Sequence, residues 1–350
     1  MTRSTDNEKP TPMSLIVGPY RVHELKHEAM SLVSVSLEDR QICELELLLS
    51  GAYHPLRGFM NKADYDSVLR QERLYDGTLW PVPVVLDLEQ SITKDLVQGQ
   101  RIVLRDDEGA MLAILTVGDI WQPDLQLESK TLGNSPGRSY LIDNGAVIKH
   151  SITYVGGTLE GISLPVHFAF PDLRKTPQQL KSELALSKRT YTMAIDPGID
   201  RNANGFDRVI KAAITMDAQL VLHPAIGAPR PTDLVRIRQI KMFLEMTSIS
   251  KRENIVFSLL PLMAMAQGNR ELLRRAIVHR NYGANHLVFN PAALGFDASP
   301  NDITTIHELD TSCRVELGIS LMPIGELPED YSMSDFPDLN DQAGREEPDL

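Results

Sequence analysis

Residues 190–224 read TYTMAIDPGIDRNANGFDRVIKAAITMDAQLVLHP, and the alternation within them decides the fold. An apolar run from Thr190 to Ile195 precedes a helical stretch from Phe206 to Met216, and a second run follows from Gln219 to Leu222. In the helical stretch Phe206, Val209, Ile210 and Ala213 fall at i, i+3, i+4 and i+7, which is one stripe to bury. Reading towards the C-terminus, the spacing predicts a helix from Thr232 to Met246, a run from Ile255 to Leu260, a helix from Asn269 to Arg280 closed by Gly283, and a last run from His286 to Phe289. Strands alternating with helices of this length imply right-handed crossovers and a parallel sheet. Ligands of such sheets sit at the carboxyl ends of the strands, so the loops after Ile195, Leu222, Leu260 and Phe289 are the ones to search.

Reading towards the N-terminus, the pattern changes to short apolar runs between turn residues. Pro81 to Leu86, Ile102 to Leu104 and Leu112 to Val117 read as strands, with Asp106-Asp107-Glu108-Gly109 as a turn. A helix is expected from Leu37 to Leu49, where Glu38 and Asp39 suit the N-terminal dipole and Gly51 supplies an end. Residues 125–165 are rich in Gly, Ser and Pro, including Gly133-Asn134-Ser135-Pro136-Gly137 and Gly156-Gly157, and read as a domain boundary. The expected layout is residues 1–13 disordered, a mainly-β domain over 14–165, an α/β domain over 166–325, and an acidic tail over 326–350.

The chain has 350 residues, 42% of them hydrophobic and 23% charged, which suits a globular protein with room for two cores. No apolar run approaches 18 residues and the opening residues are polar, so neither a membrane span nor a leader is expected and the default location is cytoplasmic. Of the net charge of -12, residues 326–350 contribute -8, from nine acids against Arg345 alone, which leaves -4 for the rest. A body without a basic stripe argues against nucleic acid as the main partner. The tail, with Pro328, Pro337 and Pro348 among its acids, reads as disordered, or else as an acidic docking arm. Cys43 and Cys313 are far apart and have no metal-binding spacing, so both read as buried thiols.

Several strings carry a resemblance. Asp39-Arg40-Gln41-Ile42-Cys43-Glu44-Leu45-Glu46-Leu47-Leu48-Leu49-Ser50-Gly51-Ala52-Tyr53-His54-Pro55-Leu56-Arg57-Gly58-Phe59-Met60 is similar to the RQxxDLELLLxGxFSPLxGFM pattern of the ATP sulfurylases (sulfate adenylyltransferases). Asp76 to Pro83 resembles that family's DGTLWPIP, and Leu173-Arg174-Lys175-Thr176-Pro177 resembles the segment leading into its catalytic domain. His223-Pro224-Ala225-Ile226-Gly227, Ser258 to Pro261 and Arg280 to Gly283 complete the series. The resemblance covers roughly residues 15 to 325. It implies a PUA-like domain followed by a Rossmann-like parallel-sheet nucleotidyltransferase domain that uses ATP with Mg²⁺, and a homo-oligomer. By itself, His223 beside Pro224 at a strand end also reads as a packed loop histidine.

The family reaction joins sulfate to the α-phosphate of ATP, so it brings two anions together and needs cations and hydrogen-bond donors to hold them. In the family these come from a QTRN string, an HxxH and a GRDHAG string. Counting back from His223-Pro224, QTRN falls on Asp196, Pro197, Gly198 and Ile199, and the two His positions fall on Asn202 and Gly205. Counting from Tyr282-Gly283, GRDHAG falls on Asn290, Pro291, Ala292, Ala293, Leu294 and Gly295, where only the last Gly matches. A carboxylate such as Asp196 about 4 Å from an oxyanion costs roughly 4 kcal/mol at an effective dielectric near 20.

The chain is therefore expected to be catalytically impaired, and to act as a binding or partner subunit, alone as a homo-oligomer or with an authentic ATP sulfurylase. The alternative is an active nucleotidyltransferase with a rebuilt site. Candidate nucleotide contacts are His223, Pro224, Gly227, Asn290 and Ala293, with Arg201, Arg208 and Arg230 as cations nearby or else as solvated surface charge. Asp196, Asp200 and Asp207 lack the spacing of a metal cluster, so no metal is assigned. Acidic residues follow Leu317 to Pro323 where the family's ISGTxxR would stand, and no Walker-type phosphate loop occurs, so no fused kinase domain is expected.

Overall fold

A computed structural model describes residues 13–133, 142–143, 146–147, 152–167, 169–195, 203–227, 237–238, 240–245, 254–297 and 299–327. In the N-terminal half the order is α1 (Pro19–Glu28), β1 (Val33–Ser36), α2 (Asp39–Ser50), β2 (Gly58–Phe59), α3 (Lys62–Gln71), β3 (Leu86–Glu89), α4 (Gln90–Thr93), β4 (Arg101–Arg105), β5 (Met111–Trp121), α5 (Leu125–Leu132), β6 (Ile142–Asp143), β7 (Ala146–Val147) and β8 (Ile152–Gly161). One sheet runs β1-β4-β5-β8-β2, with β3 also on β8, and only the β1 and β4 pair is parallel. The expected helix begins at Asp39 rather than Leu37. Glu38 is its N-cap and forms a capping box with Gln41, and Gly51 closes it in the left-handed conformation at φ 83°.

Two expectations are corrected here. Pro81 to Val85 is not a strand, because prolines 81 and 83 have no N–H to give to a ladder. The extended segment instead leads into β3, and the Trp80 indole Nε1 donates to Val82 O at 2.7 Å. The pair Gly156-Gly157 lies inside β8, not in a boundary loop. A Cβ on Gly156 would stand 2.1 Å from Met60 O, and one on Gly157 2.1 Å from Thr116 O, so these glycines let three backbone segments cross closely.

In the C-terminal half the order is α6 (Pro177–Leu186), β9 (Thr192–Ile195), α7 (Ala203–Thr215), β10 (Gln219–Leu222), β11 (Ile255–Phe257), α8 (Gly268–Asn281), β12 (His286–Phe289), α9 (Pro300–Glu316) and β13 (Ser320–Pro323). All five strands are parallel and run β11-β10-β9-β12-β13 across the sheet. The third strand in sequence thus lies at one edge and the first in the middle. The order reverses between β9 and β12, and their carboxyl ends, Ile195 and Phe289, flank the crevice. The runs at 219–222 and 286–289 are found with the expected bounds, and the stripe residues Phe206, Val209, Ile210 and Ala213 are all buried. Of the helix expected from Thr232 to Met246, residues 237–238 and 240–245 are described and are helical.

A continuous apolar cluster joins the two sheets. Leu45, Leu48 and Tyr53 from the first half and Leu272, Ala276, Leu287 and Cys313 from the second belong to one core. Buried charge crosses the same junction. Arg274, with no exposed surface, donates to Tyr53 Oη at 2.9 Å and to Glu271 at 2.9 Å, and its Nη1 lies 3.7 Å from Glu44. The Asn281 amide donates to Ala52 O and His54 O at 2.9 and 2.8 Å.

Candidate functional site

The crevice at the carboxyl ends of β9 and β12 is where the topology places a ligand, and the described wall of it is the turn after β12. Pro291–Leu294 form a short 3-10 helix between Asn290 and Gly295. Asn290 Oδ1 accepts from Ala292 N at 3.1 Å, and Asn290 O accepts from Ala293 N at 3.1 Å. The N–H groups of Gly295 and Phe296 bond back to Ala292 O and Pro291 O, while Pro291 has no N–H. These donors are spent inside the turn, and the side chains it turns outward at Ala292 and Ala293 are methyl groups. Residues 290–295 supply no cation to this wall.

On the opposite wall, Asp196, Pro197, Gly198, Ile199 and Asn202 lie outside the described residues, as do Asp200, Arg201 and Arg230. Gly205 lies in the first turn of α7, a helix that starts three residues before the expected Phe206. Arg208 does not reach into the crevice as a free cation, because its Nη2 donates to Leu327 O.

His223 directly follows β10 and has no exposed surface. Its ring packs edge-on against Tyr282 at 4.6 Å and against His279 at 5.1 Å, and the two imidazole Nδ1 atoms stand 3.3 Å apart. The packed-histidine reading describes it. Burial pushes its pKa down to about 3, and burial together with His223 and Arg275 holds His279 well below the usual histidine range. Pro224 and Gly227 are buried as well, and Gly227 has φ 62°. The structure therefore brings Asn290 and Ala293 to the crevice and sends His223 inward.

A second concavity lies beside the junction of the two halves. It has a volume of about 220 Å³ and is lined by Glu46 and Ser50 of α2, by residues 164–167, 171 and 174–176 of the connecting segment, by Leu259 and Pro261 after β11, and by Tyr282. His167 Nε2 lies 2.7 Å from Glu46 Oε2, and Lys175 pairs with Glu183. Arg174 Nη1 and Nη2 are buried without a hydrogen-bond partner among the described residues, and Nε reaches only Ala169 O at 3.5 Å. Burial pushes the Arg174 pKa down, and nearby Glu46 partly offsets it. The signal in the sequence was a lone Arg ahead of Thr176, the N-cap of α6, in a segment with no strand or helix period.

The comparisons agree with this architecture. Residues 9–164 match a PUA-like domain, and residues 171–327 match the family described as ATP-sulfurylase. A PUA-like domain joined to an ATP-sulfurylase domain is thus the class that the two sheets define. The chain belongs to the ATP-sulfurylase family. It is 34% identical over 301 residues to a sulfate adenylyltransferase of Kluyveromyces lactis, covering 83% of this chain and 59% of that one. It is 32% identical over 312 residues to a sulfate adenylyltransferase of Saccharomyces cerevisiae, covering 86% and 60% respectively. Among solved structures, a hexameric APS kinase from Thiobacillus denitrificans matches with a TM-score of 0.72 at 30% identity, over 89% of this chain and 55% of that one. The chain spans about three-fifths of the length of these curated relatives.

Among the described residues no group of three or more His, Cys, Asp or Glu is placed to hold a metal ion, and no helix is long and apolar enough to cross a membrane.

Proposed function

We propose that this chain keeps the sulfate adenylyltransferase scaffold but does not transfer adenylyl groups to sulfate, and works as a binding or partner subunit linked to sulfur metabolism. The observation that carries this is the turn from Asn290 to Phe296, whose N–H groups at Ala292, Ala293, Gly295 and Phe296 bond within the turn and whose outward side chains at 292 and 293 are methyl groups. Sulfate and a triphosphate repel each other, and a site that aligns them must aim preorganised donors at their oxygens. These four backbone donors are turned inward instead. The sequence at 196–199, Asp-Pro-Gly-Ile, adds a carboxylate and no cation to the same crevice.

The described wall at 290–296 offers ATP with Mg²⁺ neither a cation nor a free donor among Ala292, Ala293, Gly295 and Phe296, and no step is assigned through it. Incubation with ATP, Mg²⁺ and sulfate, followed by measurement of pyrophosphate, tests the reading. The expected result is no release above the background without protein, and turnover at ordinary enzyme rates of about 1 s⁻¹ or more overturns it.

The relatives named as sulfate adenylyltransferases favour a second reading, in which the chain is an active nucleotidyltransferase with a rebuilt site. Calorimetric titration with ATP and with adenylyl sulfate separates the two, since micromolar binding supports the second reading and silence the first. The hexameric state of the Thiobacillus denitrificans relative supports self-association; association with an authentic ATP sulfurylase and a cytoplasmic setting are parts of the same proposal. Light scattering of the purified chain, alone and mixed with an active sulfurylase, tests that part.

A further inference from the structure

Basic side chains from both halves gather where α6 lies against the end of α8. His54 and Arg57 stand in the loop between α2 and β2, Lys181 is in α6, and Arg280 is the penultimate residue of α8. Backbone contacts hold these segments together. The amide of Asn281, next to Arg280, donates to His54 O at 2.8 Å. Lys181 lies across Gly283, where a Cβ would stand 3.1 Å from its Cγ and 3.7 Å from its Cε. Arg57 is exposed, and His54, Lys181 and Arg280 are half-buried, so solvent reaches all of them.

The four groups feel one another. Burial, and then Arg280, Lys181 and Arg57, holds the His54 pKa below the usual histidine range. Burial, and then Arg280, lowers that of Lys181. No acid offsets any of this. Among the described residues none of the four pairs with a carboxylate, and Arg280 Nη1 donates only to the neutral Asn281 Oδ1 at 3.2 Å. Arg40, Arg270, Arg274 and Arg275, by contrast, each meet an Asp or Glu. Arg280 taken alone is accounted for by the last turn of α8, whose dipole favours a cation. That does not account for Lys181 and Arg57 beside it. Like charges held together with part of their water removed repel more strongly than in bulk solvent, and an anion seated among them relieves the cost.

We propose that this cluster binds a phosphoryl group, as inorganic phosphate or as a small phosphate ester, on Arg57, Lys181 and Arg280 with His54 as a further contact. A carboxylate brings one negative charge, whereas a phosphoryl group brings about two on a single centre, and guanidinium forks match its paired oxygens. The site is separate from the crevice. Arg280 to Gly283 lead into the amino end of β12, while the crevice lies at the carboxyl ends of β9 and β12. It therefore does not depend on whether the crevice is active. A bound phosphoryl group would also tie the two halves together, since Arg57 belongs to one and Lys181 and Arg280 to the other.

The test is thermal unfolding of the full chain at pH 7.5 in roughly 10 mM inorganic phosphate, glycerol 3-phosphate or acetate, with ionic strength levelled by sodium chloride. The expected result for the wild type is a rise in melting temperature of about 2 °C or more in at least one phosphoryl compound and none in acetate. The compound giving the larger rise identifies the source. Arg57→Gln and Lys181→Gln are each expected to reduce the rise by at least half. Arg57 is exposed, so its variant keeps the test open should Lys181→Gln fold poorly. Lys94→Gln removes the same charge from an exposed site outside the cluster and is expected to keep the full rise. No phosphoryl rise in the wild type, an equal rise in acetate, an undiminished rise in Arg57→Gln, or an equal loss in Lys94→Gln overturns the proposal.

Discussion

His223 and His279 face each other across 3.3 Å, Nδ1 to Nδ1, with both rings fully buried. Two such nitrogens share at most one proton, so at least one ring accepts there, and neither Nε2 has a partner among the described residues. Both imidazoles are neutral in the folded chain. Each has its pKa lowered on folding, so each contributes stability that is complete above the unfolded value near 6.5 and is lost as pH falls, towards about 3 for His223. Urea unfolding at pH 7, 6, 5 and 4 is expected to show His279→Leu losing less stability than the wild type, by about 1.4 kcal/mol for each pH unit below 6.5. Parallel pH profiles for the two proteins contradict this.

Arg274 pairs with both Glu44 and Glu271, two carboxylates that burial pushes above their usual range, and Arg275 adds a second cation to Glu271 at 2.9 Å. Replacing it with Met leaves both acids buried without this counterion and strips the Tyr53 hydroxyl of its donor. The expected loss is about 3–5 kcal/mol, read by chemical denaturation at pH 7. Since Glu271 also accepts from the N–H groups of Met265 and Ala266 at 3.3 Å, the double variant Arg274→Met, Glu271→Gln is expected to recover part of that loss.

Gly156→Ala tests the crossing in β8. The added methyl carbon would meet Met60 O at 2.1 Å, backbone against backbone, with no flexible side chain to give way. A loss of more than about 4 kcal/mol or failure to fold is expected, while Gly99→Ala, where nothing lies within 4 Å and φ is 82°, is expected to cost about 1 kcal/mol through backbone strain alone. Comparable stability of the two variants would show that β8 can shift to admit the methyl.

Cys43 and Cys313 have no exposed surface, and burial raises both thiols, that of Cys313 to about 12. Thiolate is the reacting form, so an aromatic disulfide reagent at pH 8 is expected to label neither until denaturant is added. Rapid labelling of the native protein would show that one of these sites opens.

The strands at 219–222 and 286–289 were legible because short runs with three consecutive apolar residues, buried on both faces, carry their signal locally. The stripe of α7 was legible for the same kind of reason. Pro81-Val82-Pro83 misled because its side chains suit a strand while its missing donors do not. Gly156-Gly157 misled in the opposite sense, since a local reading takes paired glycines as a break, whereas close approach by Met60 and Thr116 fixes them inside a strand. The pairing of Arg274 with Tyr53 and Glu44, more than two hundred residues away, leaves no local trace at all. Nor does the cavity at Arg174, whose walls come from separate stretches of chain. In the crevice, the replacement of family residues at 290–295 could be counted in the sequence, but the closure of that turn on itself could not.

The Asn281 amide grips Ala52 O and His54 O while the helix that bears it leads directly into β12. A clamp of that kind makes the N-terminal half part of the foundation on which the second sheet stands. Cutting the chain near residue 165 would expose greasy faces on both fragments, so expression of either piece alone should yield inclusion bodies, and co-expression of the two should restore solubility.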